Sequence, residues 1–402
     1  MAKCKTSDAA LKKSKRKLSG LVENYMSYLD EARTPSMAVR AAAQMLDQKA
    51  FVKYDASKKD SDEYLSELRR AKSIYFIDRN KVNIAAVRLG GLIKDGINIA
   101  GAHVDFCTLT NKVNSMVKKS DGLYLDTRPY GGFYAHQWMD RPLLVIGETL
   151  VKTGKGRREL VEWEMSGHIP EATIHNPKGY RETVPAAKAY GDVFKLEDLD
   201  VFTGYKDEKA FLKALNQKTG QNAPNITKND FNSGVTQFHV VPEEPTQLLG
   251  DYVVGYGHDD RACMFAALCA IDAVENPHYT SIALGVAREE IGSTSVGSAN
   301  DVFLNNVIKV LCRMSGRDMN PEDIYNRSVM LSADVDIAFN PQNKHVNDKN
   351  NCSNFNGGAA IVVANGRDGN PTGNIVMPND LYFIERFLDK KDLAYQVTAL
   401  PS

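Results

Sequence analysis

The stretch that decides the fold is Thr280-Ser-Ile-Ala-Leu-Gly-Val-Ala-Arg-Glu-Glu290, an apolar run that ends in two adjacent acids. The apolar run is typical of a strand that is buried on both faces. Open α/β folds bind their ligands at the carboxyl ends of such strands, where one carboxylate can hold a metal ion while its neighbour moves a proton. Two adjacent glutamates on their own are more often part of a solvated loop, so the interpretation depends on the rest of the chain.

Three further runs have the same form, because each is an apolar segment that leads into a residue type that binds metals. The runs and the residues that follow them are residues 97–102 with His103, residues 252–256 with Asp259, and residues 328–332 with Asp334. Each run predicts a buried strand with a candidate ligand at or just beyond its carboxyl end. Four such strand ends in one chain indicate that the ligands converge on one edge of one sheet.

Composition limits the classes of function. The chain has 402 residues, enough for two domains with sizeable cores. Lys and Arg together number 50, as do Asp and Glu, so the formal net charge is zero, which argues against nucleic acid or an anionic membrane as the main partner. No apolar core of a secretory signal follows the Lys-rich start, and no apolar stretch approaches membrane-spanning length. Six cysteines without C-x-x-C spacing are typical of reduced thiols, so we expect a cytoplasmic protein.

The chain changes character in its middle. Helical and strand-like segments alternate on both sides of it, which predicts a three-layer α/β domain. Residues 109–245 instead show short β-like runs separated by turn signals, and we interpret them as an inserted, mainly β domain. The catalytic α/β domain would then consist of residues 1–108 and 246–402. Such an insertion explains how His103 and Asp259, far apart in sequence, can meet.

These residue types permit hydrolysis with two metal ions. An aspartate can bridge two cations, and two divalent ions roughly 3.5–4 Å apart can activate a water and polarise a carbonyl. A free carboxylate, here Glu289, takes the proton of the water and later gives it to the leaving amine. Asp105 is placed to accept the other ring N–H of His103 and fix its tautomer. The candidate ligands are His103, Asp259, Glu290 and Asp334.

Four motifs, in their order and at roughly their separations, resemble those of the aspartyl aminopeptidase family of dinuclear zinc exopeptidases. The motifs are Ala102-His103-Val-Asp105, Gly257-His258-Asp259-Asp260-Arg261, Glu289-Glu290-Ile-Gly-Ser293 and Ser332-Ala-Asp334-Val-Asp336. The resemblance extends over nearly the whole chain, from about residue 20 to residue 400. It implies that Asp259 is the bridging ligand, Glu289 the proton shuttle, Glu290 a terminal ligand and Asp334 the later Asp ligand.

The resemblance also implies an activity and an assembly. The activity is release of the amino-terminal residue of peptides, with Asp and Glu favoured, by two zinc ions per subunit, manganese or cobalt being the alternatives. The assembly is a homo-oligomeric cage, often a dodecamer. His175 resembles a histidine of the inserted domain that reaches the substrate in a neighbouring subunit, although an ordinary interface histidine is an equal alternative.

The sequence departs from the family at two places. Family members have a last His ligand after a Gly-rich segment that follows a Gln-containing strand. This sequence reaches Ala394-Tyr-Gln-Val397 and stops at Ser402, so we expect that ligand and the C-terminal part of the catalytic domain to be missing. Phe106-Cys107-Thr108 also replaces the family's usual Ser-Pro run.

Two functions therefore stay open. The retained acids favour a working metallo-aminopeptidase, because they would repel one another without cations. The missing His favours a non-catalytic or truncated relative that acts as a structural subunit.

Overall fold

The structure is a computed structural model, and it describes residues 8–58, 60–132, 134–154, 156–171, 199–316, 319–345, 348–367 and 370–399. The chain divides into two compact units, Met1–Ala333 and Asp334–Ser402. Within the described residues the α-helices are α1 (Asp8–Glu31), α2 (Pro35–Gln48), α3 (Asp62–Ala71), α4 (Glu208–Lys218), α5 (Lys228–Asn232), α6 (His258–Ala273), α7 (Phe303–Met314), α8 (Pro321–Tyr325) and α9 (Pro378–Lys390). In that part of the chain, no helix combines the length and the apolar character that crossing a bilayer would require.

Within the described residues, the strands belong to two six-stranded sheets and three two-stranded ones. In chain order they are β1 (Val52–Lys53), β2 (Ser73–Ile77), β3 (Ile84–Arg88), β4 (Ile97–His103), β5 (Thr108–Lys118), β6 (Leu123–Tyr130), β7 (Leu143–Lys152), β8 (Arg158–Gly167), β9 (Val201–Phe202), β10 (Thr236–Pro242), β11 (Gln247–Leu249), β12 (Tyr252–Val254), β13 (Thr280–Val286), β14 (Val329–Ser332), β15 (Ala359–Val362), β16 (Ala364–Arg367), β17 (Asn370–Ile375) and β18 (Tyr395–Thr398).

The first sheet has the strand order β1-β2-β3-β13-β4-β14. It is mixed, because β3 runs antiparallel to both of its neighbours. The strands β13, β4 and β14 are parallel to one another. Parallel strands end at the same edge of a sheet, so the segments that follow β4 and β13 emerge side by side. This edge is where the sequence places His103 and the two adjacent glutamates.

Helices cover both faces of the first sheet. Successive side chains of a strand point to opposite faces, so Tyr75 and Ala86 pack with α1, α2 and α6. Ile74 and Phe76 face the other way and pack with α3 and α7. The predicted three-layer α/β fold is therefore confirmed. The helix starts follow from local sequence: the Thr34 side chain accepts a hydrogen bond from the N–H of Met37 and caps α2.

The second sheet has the strand order β8-β7-β10-β5-β6-β9, and its strand pairs are antiparallel. The helices α4 and α5 contribute Phe211 and Phe231 to its core, where they meet Trp163 and Phe238. The mainly β character predicted for the middle of the chain is thus observed. The limits of an inserted domain, residues 109–245, stay a prediction.

One predicted strand is wrong. The sequence suggests that residues 252–256 form a buried strand of the first sheet. Instead, β12 pairs with β11 in a separate two-stranded sheet, and its side chains are largely exposed. The edge strand β14, also expected to be buried, is exposed as well. Apolar residues favour a strand, but only the tertiary fold decides what covers it.

The part of the second unit that the structure describes contains two small sheets and α9. The strands β15 and β18 pair in parallel, and β16 and β17 are antiparallel. The side-chain amide of Gln396 bonds to the backbone of Asn354 in both directions, at 2.9 Å and 3.1 Å. This contact fixes the loop that precedes β15 against β18.

Candidate metal centre

His103 is the last residue of β4, and only 4% of its surface is exposed. Its Nδ1 lies 2.9 Å from the backbone oxygen of Asp105. A carbonyl oxygen only accepts hydrogen bonds, so Nδ1 carries the proton and a neutral ring presents its lone pair at Nε2. Nε2 is 3.0 Å from Oδ1 of Asp259 and 3.9 Å from Oε2 of Glu289. Acceptor atoms thus face one another, an arrangement that a cation stabilises.

Asp105 is completely buried and binds the turn that carries the two glutamates. Its Oδ1 accepts the backbone N–H of Glu289 at 3.1 Å, and its Oδ2 accepts that of Glu290 at 3.3 Å. Oδ2 also accepts the hydroxyl of Tyr130 at 2.9 Å. The sequence predicts that the Asp105 carboxylate orients His103. Its Oδ1 is 3.4 Å from the His103 Nδ1, so the Asp105 carbonyl is the closer partner of the ring.

A tight turn presents the two acids to different environments. Arg288 and Gly292, on either side of the 3-10 segment Glu289–Ile291, both have positive φ, at 67° and 95°. The Glu289 side chain is 49% exposed, whereas Glu290 is half-buried. Burial raises the pKa of Glu290, and the charges of Asp259 and Asp105 raise it further, against the lowering effects of its Cys107 hydrogen bond and the nearby His103. The exposed side chain of Glu289 is therefore accessible to a substrate.

Cys107 contacts the half-buried acid directly. Its Sγ donates a hydrogen bond to Oε2 of Glu290 at 2.9 Å. Burial raises the pKa of the Cys107 thiol to about 12, and the hydrogen bond to Glu290 adds to this effect. Gly131 packs against both side chains, since a Cβ at that position would lie 2.8 Å from Sγ of Cys107. Cys107 is thus a protonated hydrogen-bond donor here rather than a nucleophile.

Asp259 and Asp260 serve different purposes although they are neighbours. The peptide bond between them is cis. The Asp259 side chain is 55% exposed and faces His103. Asp260 is completely buried, and its Oδ2 accepts the backbone N–H of His103 at 3.1 Å. The pair therefore contacts both the ring and the backbone of His103.

The residue that follows them, Arg261, is fully buried and fixes the segment in place. Its guanidinium donates to the backbone oxygens of Leu29 and Ala32, in and just after α1. It also donates to the oxygens of Tyr256 and Gly257, at 2.8 Å each. Burial lowers the pKa of Arg261 to about 10, so it stays charged at neutral pH. Gly257 has to be a glycine, because a Cβ there would lie 1.3 Å from Nη2 of Arg261.

Most of the candidate residues lie together. The residues that the structure brings into one cluster are His103, Asp105, Asp259, Glu289 and Glu290. Asp334 is the first residue of the second unit, and its role as a ligand stays a prediction. His175 lies outside the described residues.

Sequence reasoning missed three partners of this cluster. No role at this cluster is predicted from the sequence for Tyr130, Cys107 or Asp260, although the first bonds to Asp105, the second to Glu290 and the third to the backbone of His103. Each of these contacts joins segments distant in sequence, so residue spacing gives no signal for it.

The donor atoms of the cluster suit zinc. Zinc in proteins is bound by imidazole nitrogen, carboxylate oxygen and thiolate, and the first two types meet here at the His103 and Asp259 pair. The ring nitrogen of His103 that does not face the cluster is held by a backbone carbonyl, as is usual for a metal-binding histidine. The residues present therefore fit a zinc ion.

Comparison with known proteins agrees with this chemistry. Residues 28–378 match the family described as aminopeptidase I zinc metalloprotease (M18). A protein named "Probable M18 family aminopeptidase 1" from Thermotoga neapolitana is 26% identical over 405 residues, which cover 96% of this chain and 85% of the relative.

Solved structures show the same fold. An M18 aminopeptidase from Thermotoga maritima superposes with a TM-score of 0.83 at 24% identity, over 96% of this chain and 85% of that one. Aminopeptidase I from Clostridium acetobutylicum gives a TM-score of 0.79 at 22% identity, over 94% of this chain and 83% of that one. With the family match extending over most of its length, the chain belongs to the aminopeptidase I zinc metalloprotease family, M18, and is a zinc-dependent aminopeptidase.

Proposed function

We propose that this chain removes the amino-terminal residue of peptides with two zinc ions, held by His103, Asp259, Glu290 and Asp334, and with Glu289 as general base. The observation that carries the proposal is the approach of His103 Nε2 to Asp259 Oδ1 at 3.0 Å, while Nδ1 is occupied by the carbonyl of Asp105. A histidine whose lone pair is aimed at a carboxylate is arranged for a shared cation.

Each residue of the cluster has a distinct task in this reaction. Bound zinc supplies Lewis acidity, which polarises the scissile carbonyl and makes water a better nucleophile. The half-exposed Glu289 takes a proton from the water that attacks the carbonyl carbon. It returns the proton to the leaving nitrogen as the C–N bond breaks. Asp105 keeps Glu289 in position by accepting its backbone N–H.

The substrate preference and the assembly are finer points of the proposal. We infer that Asp and Glu are favoured at the amino terminus, which is supported by the motifs that resemble aspartyl aminopeptidases. We also infer a homo-oligomer in the form of a dodecameric cage. The support is a similar fold, with a TM-score of 0.71 at 19% identity, in the dodecameric mApe1 of S. cerevisiae. Residues 109–245 would provide subunit contacts, and His175 would reach the substrate of a neighbour.

The test is hydrolysis of peptides that begin with Asp, Glu or Leu by the purified chain with added zinc, manganese or cobalt. We expect turnover that a chelator removes and that Glu289→Gln abolishes, with nearly unchanged zinc content because Glu289 is not a ligand. Glu275→Gln, a matched change at an exposed position, should keep full activity. Zinc loss in Glu289→Gln with activity retained would exclude Glu289 as the base. Absence of any turnover would leave the structural-subunit alternative.

A further inference from the structure

A cleft of about 780 Å³ opens beside the acidic turn. It lies between the outer face of the second sheet and the segments around the start of α2 and the end of β13. Its lining includes Arg40, Tyr130, Glu148, His239 and Arg288. Tyr130 bonds to Asp105 and Arg288 directly precedes Glu289, so these two lining residues connect the cleft to the acidic turn.

The two ends of the cleft differ in their charged side chains and in whether those side chains form ion pairs. At the far end, Glu148 and Glu162 face each other across β7 and β8. Arg40 already forms an ion pair with Glu162 at 2.7 Å. At the near end, Arg288 is half-buried, and within the described ranges its guanidinium makes neither an ion pair nor a hydrogen bond. The near end therefore presents a guanidinium that has no direct hydrogen-bond or ion-pair partner among the described residues.

A backbone turn and a contact with Gly297 place the side chain of this arginine. Arg288 adopts a φ of 67°, and its carbonyl accepts the N–H of Ser293 at 2.9 Å. Its side chain runs over Gly297, where an added Cβ would lie 3.4 Å from Nε. The Arg288 side chain thus packs against Gly297 with its guanidinium available to an anion.

The guanidinium selects the kind of anion. Its planar fork of N–H donors matches a carboxylate in bidentate geometry. In an aminopeptidase, the residue to be removed occupies the metal side, and the leaving peptide extends away from it. One residue of extended chain spans about 3.3–3.6 Å, so a carboxylate one or two residues beyond the scissile bond is within reach of a side chain next to Glu289.

We propose that Arg288 binds a carboxylate on the leaving part of the peptide and makes the cleft the subsite for the residues after the scissile bond. This inference deepens the proposed function and rests on it. Two sources share this chemistry: the C-terminal carboxylate of a dipeptide and an acidic side chain at the second residue of a longer peptide.

The experiment compares two substrate pairs with the same first residue. Leu-Ala against Leu-Ala-amide tests the C-terminal carboxylate, and Leu-Asp-amide against Leu-Asn-amide tests the side chain. We expect the zinc-loaded wild type to prefer the charged member of at least one pair by about ten- to a hundredfold in kcat/KM. Arg288→Gln should remove that preference and Arg288→Lys should keep part of it. Arg70→Gln, the same change at an exposed position of α3, should leave it intact.

A preference that survives in Arg288→Gln, or the absence of a preference in wild type, would overturn the inference while leaving the aminopeptidase proposal standing. Calorimetry with Glu289→Gln tests the Arg288 inference independently of the aminopeptidase proposal, because it measures peptide binding without turnover. There the charged peptide of the preferred pair should bind about ten- to a hundredfold more tightly than its neutral partner. Adding Arg288→Gln should abolish the difference, and equal binding of both peptides to Glu289→Gln would contradict the inference.

Discussion

The hydroxyl of Tyr130 lies 2.9 Å from Oδ2 of Asp105, the carboxylate that holds the backbone of Glu289 and Glu290. Tyr130 ends β6 of the second sheet, whereas Asp105 follows β4 of the first. The geometry of the acidic turn therefore depends on residues of both sheets.

Replacing Tyr130 by Phe removes one hydrogen bond to a buried carboxylate. We expect kcat/KM to fall about tenfold, because the turn that carries the base loses one of its anchors, and the free energy of unfolding to drop by about 1–3 kcal/mol. Steady-state kinetics and urea unfolding measure the two effects. Tyr124→Phe is the matched control, since Tyr124 donates to Asp121 at 2.7 Å, away from the cluster. Equal losses in both variants would show that Tyr130 acts only on stability.

Replacing Arg261 by Met should destabilise the protein strongly. The substitution leaves the backbone oxygens of Leu29, Ala32, Tyr256 and Gly257 without their donor in a buried place. We expect a loss of about 3–5 kcal/mol in the free energy of unfolding, measured by urea denaturation. Arg70→Met on the surface of α3 should change it by less than about 0.5 kcal/mol. A stable Arg261→Met variant would mean that water reaches these carbonyl groups.

His239 should make the stability depend on pH. Burial lowers the pKa of His239 to about 4, the Asp105 charge opposes this and the Arg288 charge adds to it. In the unfolded chain His239 binds a proton near pH 6.5, whereas in the folded chain it stays neutral down to about pH 4. Stability is therefore lost as the pH falls from about 6.5 towards 4, by at most about 1.4 kcal/mol per pH unit.

Urea unfolding between pH 4 and pH 8 measures this slope. His239→Gln should flatten it in that window, whereas His278→Gln, at an exposed position, should not. An unchanged slope in His239→Gln would show that other groups cause the pH dependence.

Zinc should stabilise the folded chain, because it binds the folded cluster and offsets the repulsion among its carboxylates. At a free zinc concentration of 100 Kd, the gain is about 2.7 kcal/mol. Thermal unfolding with and without chelator measures it. Asp259→Asn should lose most of this gain, and Asp251→Asn, at an exposed position, should keep it. A full zinc effect in Asp259→Asn would exclude Asp259 as a ligand.

The sequence predicts the first sheet well where its strands are covered on both faces. The runs of β4 and β13 are apolar because helices lie on either side of them, and their carboxyl ends carry His103 and the two glutamates as expected. The run before Asp259 has the same composition but forms an exposed hairpin. Asp259 reaches the cluster through the turn at Gly257 instead.

What the sequence could not show are contacts between distant segments. Cys107 meets Glu290, and Asp260 meets the backbone of His103, only because the fold brings these segments together. No local period or spacing encodes such pairs. That the Arg288 guanidinium has no direct partner in the described part of the chain is equally invisible, since it depends on which acids the fold places beside it.

The parallel pairing of β4 with β13 aligns His103 with Val286. The register of the two strands therefore sets the distance from the imidazole of His103 to the glutamates that follow β13. Deleting one residue of β4 would turn the imidazole to the opposite face of the sheet. Deleting two would restore the face but shift the ring by about 6.6 Å, roughly two residues along the strand. The spacing of the reactive groups therefore depends on the lengths of the two strands.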